Sequence, residues 1–302
     1  MTLKNIILGF ISIAVMAWLA GCAGGNGRKR QRQRPILTVS IPPQTYFVKA
    51  IADTLAEVNC LLESTADPET FEPTVNQLLR LQESDAYLPM GTLPFEEALT
   101  ERLKSNRKDL TISSMSEGVK RLTGTHACND PAHHHHDDGD ADPHVWSSVE
   151  NARIMALNTL NALIEADSVN EDTYRRNYGA LINNLDSMDR DFRHLFASHN
   201  VPRTFVVWHP SLSYFARDYD LNQLVLGNPG KEESVMSMKA GIDRAGAEDA
   251  RVYFYQSEFD PARAEAISQA TDAETVTINP MNADWEGEMI KLYMAFKNAS
   301  RR

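Results

Sequence analysis

Apolar residues fall in short runs separated by stretches of helical period. Leu37-Thr-Val-Ser-Ile41 has the composition of a strand and is stopped by Pro42-Pro43. Phe47 to Leu55 reads as an amphipathic helix and Val58 to Leu62 as a second strand. Glu63 to Pro73 is a loop. Thr74 with Gln77 then makes a capping box that opens a helix through Leu81. Ala86 to Met90 is a third strand, Phe95 to Leu103 a third helix and Leu110-Thr-Ile112 a fourth strand. This alternation predicts α/β architecture with a parallel sheet covered on both faces.

Beyond Trp146 the pattern changes. Ser147 with Glu150 can cap a helix to about Glu165, and Asn170 a longer one to His199. Its apolar positions, Tyr174, Tyr178, Leu181, Leu185, Met188, Phe192, Leu195 and Phe196, follow steps of three and four. At about 1.5 Å per residue such a helix spans roughly 40 Å. Periodicity alone fits a spine joining two lobes and a covering helix of one domain equally. The βα pattern then resumes. Thr204 to Trp208, Leu224 to Leu226, Arg251 to Tyr255 and Thr275 to Ile278 read as strands. Leu212 to Tyr219, Ser234 to Arg244, Pro261 to Ala270 and Trp285 to Asn298 read as helices, and Gly227 to Gly230 as a turn. Both halves repeat the βα pattern without repeating residue identities.

The 302 residues allow one large domain or two lobes, and 42% hydrophobic content is ordinary for a globular chain. A formal net charge of -11 argues against a nucleic-acid partner. Lys4 followed by the apolar stretch Ile6 to Ala20 has the form of an export signal and is short for a membrane span. It ends in Leu19-Ala20-Gly21-Cys22, which resembles the lipobox of bacterial lipoproteins. That resemblance implies cleavage before Cys22, a lipid on its thiol and a membrane-anchored extracytoplasmic domain. A plain signal peptide or an anchor helix is the alternative. Residues 22–34 are polar and basic, suited to a tether. Cys60 and Cys128 can pair in an exported protein, or Cys60 serves as a small buried hydrophobe and Cys128 as a soft metal ligand.

The stretch from His126 to Trp146 stands apart. It holds six of the nine histidines, His126, His133, His134, His135, His136 and His144, interleaved with aspartates. With no apolar run it reads as a solvated loop, 126–142, and its side chains suit a borderline ion such as Zn²⁺. A purification tag would sit at a terminus without interleaved acids. A pH-sensitive acidic loop is the other reading. Ligands of open parallel sheets bind beyond the carboxyl ends of the strands. Four polar residues follow strands in this way: Glu69 after the second, His144 after the fourth, His209 after Trp208, and Asn279 after Ile278. Facing blocks would join two imidazoles, a carboxylate and a further oxygen in one four-coordinate site. His194 and His199, at the end of the long helix, read as partners of its C-terminus.

Three segments carry a family resemblance: Ala66-Asp-Pro-Glu-Thr-Phe-Glu-Pro-Thr74, Asp142-Pro-His-Val-Trp146, and Trp208-His-Pro210 with Tyr214-Phe-Ala216. In order and spacing, after a His-rich loop and a lipobox, they resemble the ZnuA-type (cluster A-I) zinc and manganese solute receptors of bacterial ABC importers. The resemblance runs from about Pro35 to the chain's end. It implies two α/β lobes, 35–169 and 200–302, joined by a rigid helix, 170–199, with the metal between them. It further implies a monomeric periplasmic receptor that hands the ion to a permease with an ATPase partner. His144 and His209 match the family's second and third ligands. The family usually has His where this chain has Glu69, and Asp where it has Asn279. Glu69 can ligate through oxygen, Glu72 can stand in for it, and Asn279 can offer a carbonyl or orient a water. The exchange of nitrogen for oxygen moves preference toward Mn²⁺ or Fe²⁺, while the His-rich loop favours Zn²⁺, which is the expected ion. A metallohydrolase is the first rival, although no His-Glu-x-x-His run occurs. A surface adhesin or metal store is the second, and a relative that has lost the ion the third.

Overall fold

The computed structural model describes residues 34–63, 66–123, 141–227, 235–256, 265, 267–270 and 273–301. The expectations for the export signal, Cys22, Cys128, His126 and His133 to His136 lie outside the described residues. Pro35–Arg302 form one compact unit.

Two parallel sheets share one strand order. The first contains β1 (Ile36–Val39), β2 (Glu57–Cys60), β3 (Ala86–Leu88) and β4 (Thr111–Ile112), ordered β2-β1-β3-β4. The second contains β5 (Thr204–Val207), β6 (Asn222–Val225), β7 (Val252–Gln256) and β8 (Glu274–Ile278), ordered β6-β5-β7-β8. Every pairing is parallel. The internal repeat that residue identity hides is therefore one of topology. In each sheet the chain leaves the two central strands in opposite directions, which opens a crevice beyond their carboxyl ends.

Two local expectations are corrected. Pro42-Pro43 start a helix, α1 (Pro42–Ala52), because a proline at the first helical turn lacks only an N–H that would have no partner there. The helix after the first sheet is capped by Ser148, which accepts from the Asn151 N–H at 2.9 Å. Ser147 instead lies in a 3-10 turn and donates its hydroxyl to the His144 carbonyl at 2.9 Å. The Thr74–Gln77 box does open the next helix, α2 (Val75–Gln82), followed by α3 (Pro94–Asn106).

The helix α4 (Val149–Ala166) leads into the 26-residue α5 (Glu171–Phe196). Asn170 stands at its N-cap without a side-chain cap bond and donates to Asp167 Oδ2 instead. The apolar face of α5 buries Tyr174, Leu181, Leu185, Phe192 and Phe196. Asn177 Nδ2 donates to the Ile51 carbonyl of α1, tying α5 to the first lobe. At its other end Phe192 and Phe196 stack into the rings of Phe215, Tyr219 and Phe296 of the second lobe. It is a spine that touches both lobes. One apolar cluster runs from Leu37 and Val39, through the spine, to Phe205, Phe254 and Phe296.

Two indoles lock the lobes together. After α6 (Ser213–Tyr219) and α7 (Val235–Ala247), the chain closes with α8 (Trp285–Ala299). Trp285 Nε1 donates to the Trp146 carbonyl at 2.7 Å, and Trp146 Nε1 donates to the Pro280 carbonyl at 3.0 Å. Both rings are buried. At roughly 200 Å² per indole and about 25 cal/mol per Å², each contributes about 5 kcal/mol of gross burial. The cleft between the lobes is thus framed by apolar packing, which holds groups at its rim in fixed relation.

Candidate metal site

His209 leaves β5 at the crevice of the second sheet, immediately after the buried Trp208. His144 arrives from the first lobe on Asp142-Pro143-His144. Asp142 Oδ1 accepts both the His144 backbone N–H at 2.8 Å and its ring Nδ1 at 2.9 Å. With Nδ1 as donor, the neutral ring carries its lone pair on Nε2, aimed away from Asp142. The segment is held on both sides. Tyr214 Oη donates to the Asp142 carbonyl at 2.8 Å and accepts from the Leu122 N–H at 3.1 Å, and Thr92 Oγ1 donates to the Pro143 carbonyl. Glu69 sits in an exposed turn closed locally by Asp67, which accepts from the Glu69 N–H at 2.9 Å and from Thr70 Oγ1 at 3.0 Å.

Three donor atoms converge. His144 Nε2 and His209 Nε2 are 3.0 Å apart, and each is 3.7 Å from Glu69 Oε1. A triangle of those sides has its centre about 2.0 Å from every corner, which is the Zn–N and Zn–O bond length. Glu72 contributes no atom to this cluster. Asn279 follows β8 as expected, but its Oδ1 accepts from the Met281 N–H at 2.8 Å and its N–H donates to Glu288 Oε2 at 2.9 Å. Its side chain is thus engaged in its own turn. On its outer side Glu69 borders a solvent-open cavity of about 1110 Å³ shared with Thr92, Glu97, Glu117, Arg121 and Pro143.

The protonation energetics reflect this crowding. Burial and the neighbouring His144 push His209 down to about 3, so its imidazole is neutral at ordinary pH. Burial would lower His144 as well, but the Asp142 hydrogen bond and charge, with Glu69 and Asp67, carry it above the usual histidine value. Burial works to raise Asp142, and its bonds to His144 overcome that and hold it below the carboxylate range. Glu69 is raised, chiefly by burial, with His144 opposing and Asp67 and Asp142 adding. A divalent cation at the centre would favour the deprotonated form of every one of these groups. Cys60, at the end of β2, donates to the Leu62 carbonyl at 3.1 Å, and burial pushes its thiol up to about 12.

Sequence reasoning passed over Asp142. The signal was present in Asp-Pro-His, where proline fixes the backbone between a carboxylate and an imidazole two residues apart.

A family model described as ZnuA, zinc-uptake complex component A periplasmic, matches residues 37–299. The chain belongs to the ZnuA family. This ZnuA-family chain is 23% identical over 290 residues to the zinc-binding lipoprotein AdcA of Streptococcus pneumoniae, covering 93% of this chain and 56% of that protein. It spans about half the length of the AdcA relatives it matches. It is 22% identical over 280 residues to the high-affinity zinc uptake system protein ZnuA of Bacillus subtilis, covering 90% and 87% of the two chains. The crystal structure of a zinc-bound ZnuA deletion mutant matches with a TM-score of 0.75 at 30% identity, covering 88% of this chain and 98% of that one. ZnuA-family proteins are metal-binding receptors of ABC importers. No described helix is long and apolar enough to cross a membrane.

Proposed function

We propose that this protein is an extracytoplasmic receptor that captures Zn²⁺ on His144, His209 and Glu69 and delivers it to an ABC permease and its ATPase. The observation that carries the reading is the donor triangle, whose centre stands about 2.0 Å from two imidazole nitrogens and one carboxylate oxygen. The relatives' names, zinc-binding lipoprotein and zinc uptake protein, support zinc as the cargo. The task is capture and hand-over by a monomer, not turnover. The His144 and Glu69 side chains serve as ligands, and no separate base is assigned to activate a water. Asn279 is assigned to the fourth position only by its place after β8, since its side-chain oxygen is held by the Met281 N–H. Pro280 beside it accepts from the Trp146 indole, two residues past His144. Residues 1–21 act as the export signal, Cys22 carries the lipid, and the histidines of 126–142 collect ions for the cleft.

Calorimetric titration of metal-stripped protein with Zn²⁺ tests the reading. His144→Ala and His209→Ala abolish high-affinity binding, whereas deletion of His133 to His136 leaves it. The opposite pattern would place the ion on the loop and end the cleft assignment. Titration with Mn²⁺ in the same buffer separates the cargoes. Tighter binding of Mn²⁺ than of Zn²⁺ would make the protein a manganese receptor of the same family.

A further inference from the structure

We infer that Gln256 is a positioning residue for the metal site, holding His209 Nε2 in place by pairing with both peptide groups of His209. The inference rests on the reading of His209 as a ligand.

Register puts the two residues side by side. The β5–β7 ladder pairs Val207 with Phe254, so the next pair of that spacing is His209 with Gln256. By His209 the backbone is leaving the sheet, and the side chain of Gln256 takes over from the ladder. Its Oε1 accepts from the His209 N–H at 3.1 Å. Its Nε2 donates to the His209 carbonyl at 2.7 Å and to Ser211 Oγ at 2.8 Å. The side chain is fully buried. A terminal amide carries its acceptor and its two-hydrogen donor on separate atoms, which suits this bridge between two peptide groups and Ser211. A carboxylate cannot donate, and asparagine is one methylene too short.

A second glutamine supplies the control. Gln223, near the start of β6 on the opposite side of β5, accepts from the Leu212 N–H at 3.0 Å and donates to Ser213 Oγ at 3.1 Å. It braces the same loop from a buried position, but the bonds it makes there fall three and four residues past the ligand. The two glutamines separate the general cost of loosening the loop from the specific cost of displacing His209. Metal sites tolerate ligand displacements of only about 0.2 Å. A His209 freed from Gln256 therefore no longer completes the triangle with His144 and Glu69.

The test compares full-length, metal-stripped wild type with Gln256→Met, Gln256→Glu and Gln223→Met. Zn²⁺ affinity is measured by competition with a chelator, the visible absorption of bound Co²⁺ reports coordination geometry, and melting without metal reports stability. Gln256→Met weakens Zn²⁺ binding by about 10- to 100-fold, the usual effect of losing a supporting bond behind a ligand, and alters the Co²⁺ bands. Gln223→Met loses comparable stability but keeps the wild-type affinity and bands. Gln256→Glu retains the acceptor toward the His209 N–H and falls between. Wild-type affinity and bands in Gln256→Met overturn the inference, and so does an equal loss of affinity in Gln223→Met. If Gln256→Met does not fold, wild-type behaviour of Gln256→Glu overturns it. If wild type itself takes up no Zn²⁺, the ligand reading fails and this inference with it. Binding by wild type and Gln256→Met alike sinks the positioning role alone.

Discussion

Asp142→Asn separates what a carboxylate does for shape from what it does for charge. Asp142 Oδ1 accepts two bonds from one histidine, at 2.8 and 2.9 Å, and an asparagine oxygen can accept both. The orientation of His144 is therefore retained and the charge is lost. Two consequences of opposite sign follow. The imidazole becomes a poorer donor to the ion, which costs about 10- to 100-fold in affinity, or about 1.4–2.7 kcal/mol. At the same time burial, which by itself lowers the His144 pKa, loses the Asp142 charge that opposes it. The variant's His144 therefore releases its proton more readily than in wild type, where a proton competes with the metal more strongly. Below the raised His144 value, wild-type affinity falls by up to about tenfold per pH unit, because a proton must leave as the ion binds. The gap between the two proteins should be widest above the raised His144 value and close as pH falls below it. Chelator-competition titrations of Zn²⁺ across that range measure it. Parallel curves for the two proteins, or a gap that widens in acid, would refute the assignment of Asp142 as the charge behind His144.

Two further outcomes are expected. Glu69→His, whose Nε2 stands about as far from Cβ as a glutamate oxygen, should tighten Zn²⁺ and weaken Mn²⁺, since imidazole suits zinc and carboxylate suits manganese. Paired titrations with the two ions check this, and an unchanged ratio would mean that Glu69 does not touch the metal. The metal-free protein should be most stable near pH 6.5. His144, raised in the folded state, contributes stability that is full below the unfolded value and is lost as pH rises through the folded one. His209, depressed to about 3, costs about 1.4 kcal/mol per unit as pH falls below 6.5, because only the unfolded chain takes up that proton. Urea melts from pH 5 to 8.5 measure the curve, and stability that climbs steadily from pH 6 to 8 contradicts it.

The fold was legible where hydrophobic period decides structure. The strands at Val206 and Phe254, and the apolar stripe of the spine from Tyr174 to Phe196, are written in residue type alone. Errors arose where two local solutions compete. Pro42-Pro43 can stop a strand or start a helix, and they do both. Ser147 and Ser148 are interchangeable as caps until the His144 carbonyl claims one hydroxyl. The proposed ligands could be read as polar residues after strands, but not the conformations of their side chains. Asn279 stands where expected and yet bonds into its own turn. Gln256 was invisible because a glutamine ending a strand has no signature until register sets it beside His209.

Charge balance explains how the proposed site tolerates its two departures from the family pattern. Counted by the proposed ligands, a divalent ion here would meet two neutral imidazoles and a single carboxylate, leaving one positive charge in a partly buried place. An uncompensated charge in such surroundings is costly. The structure places a second carboxylate behind the first lobe's histidine. Asp142 is buried, held in its ionised form by His144, and separated from the triangle only by one imidazole ring. Glu69 and Asp142 together would neutralise a divalent ion on the proposed ligands, which would then need no charge from Asn279. A negative charge at the fourth position would add a third carboxylate near Glu69, which burial, and after it the charges of Asp67 and Asp142, already raise. On this account Glu69 and Asn279 depend on each other: exchanging histidine for glutamate at the first position is what makes an uncharged side chain suitable at the fourth.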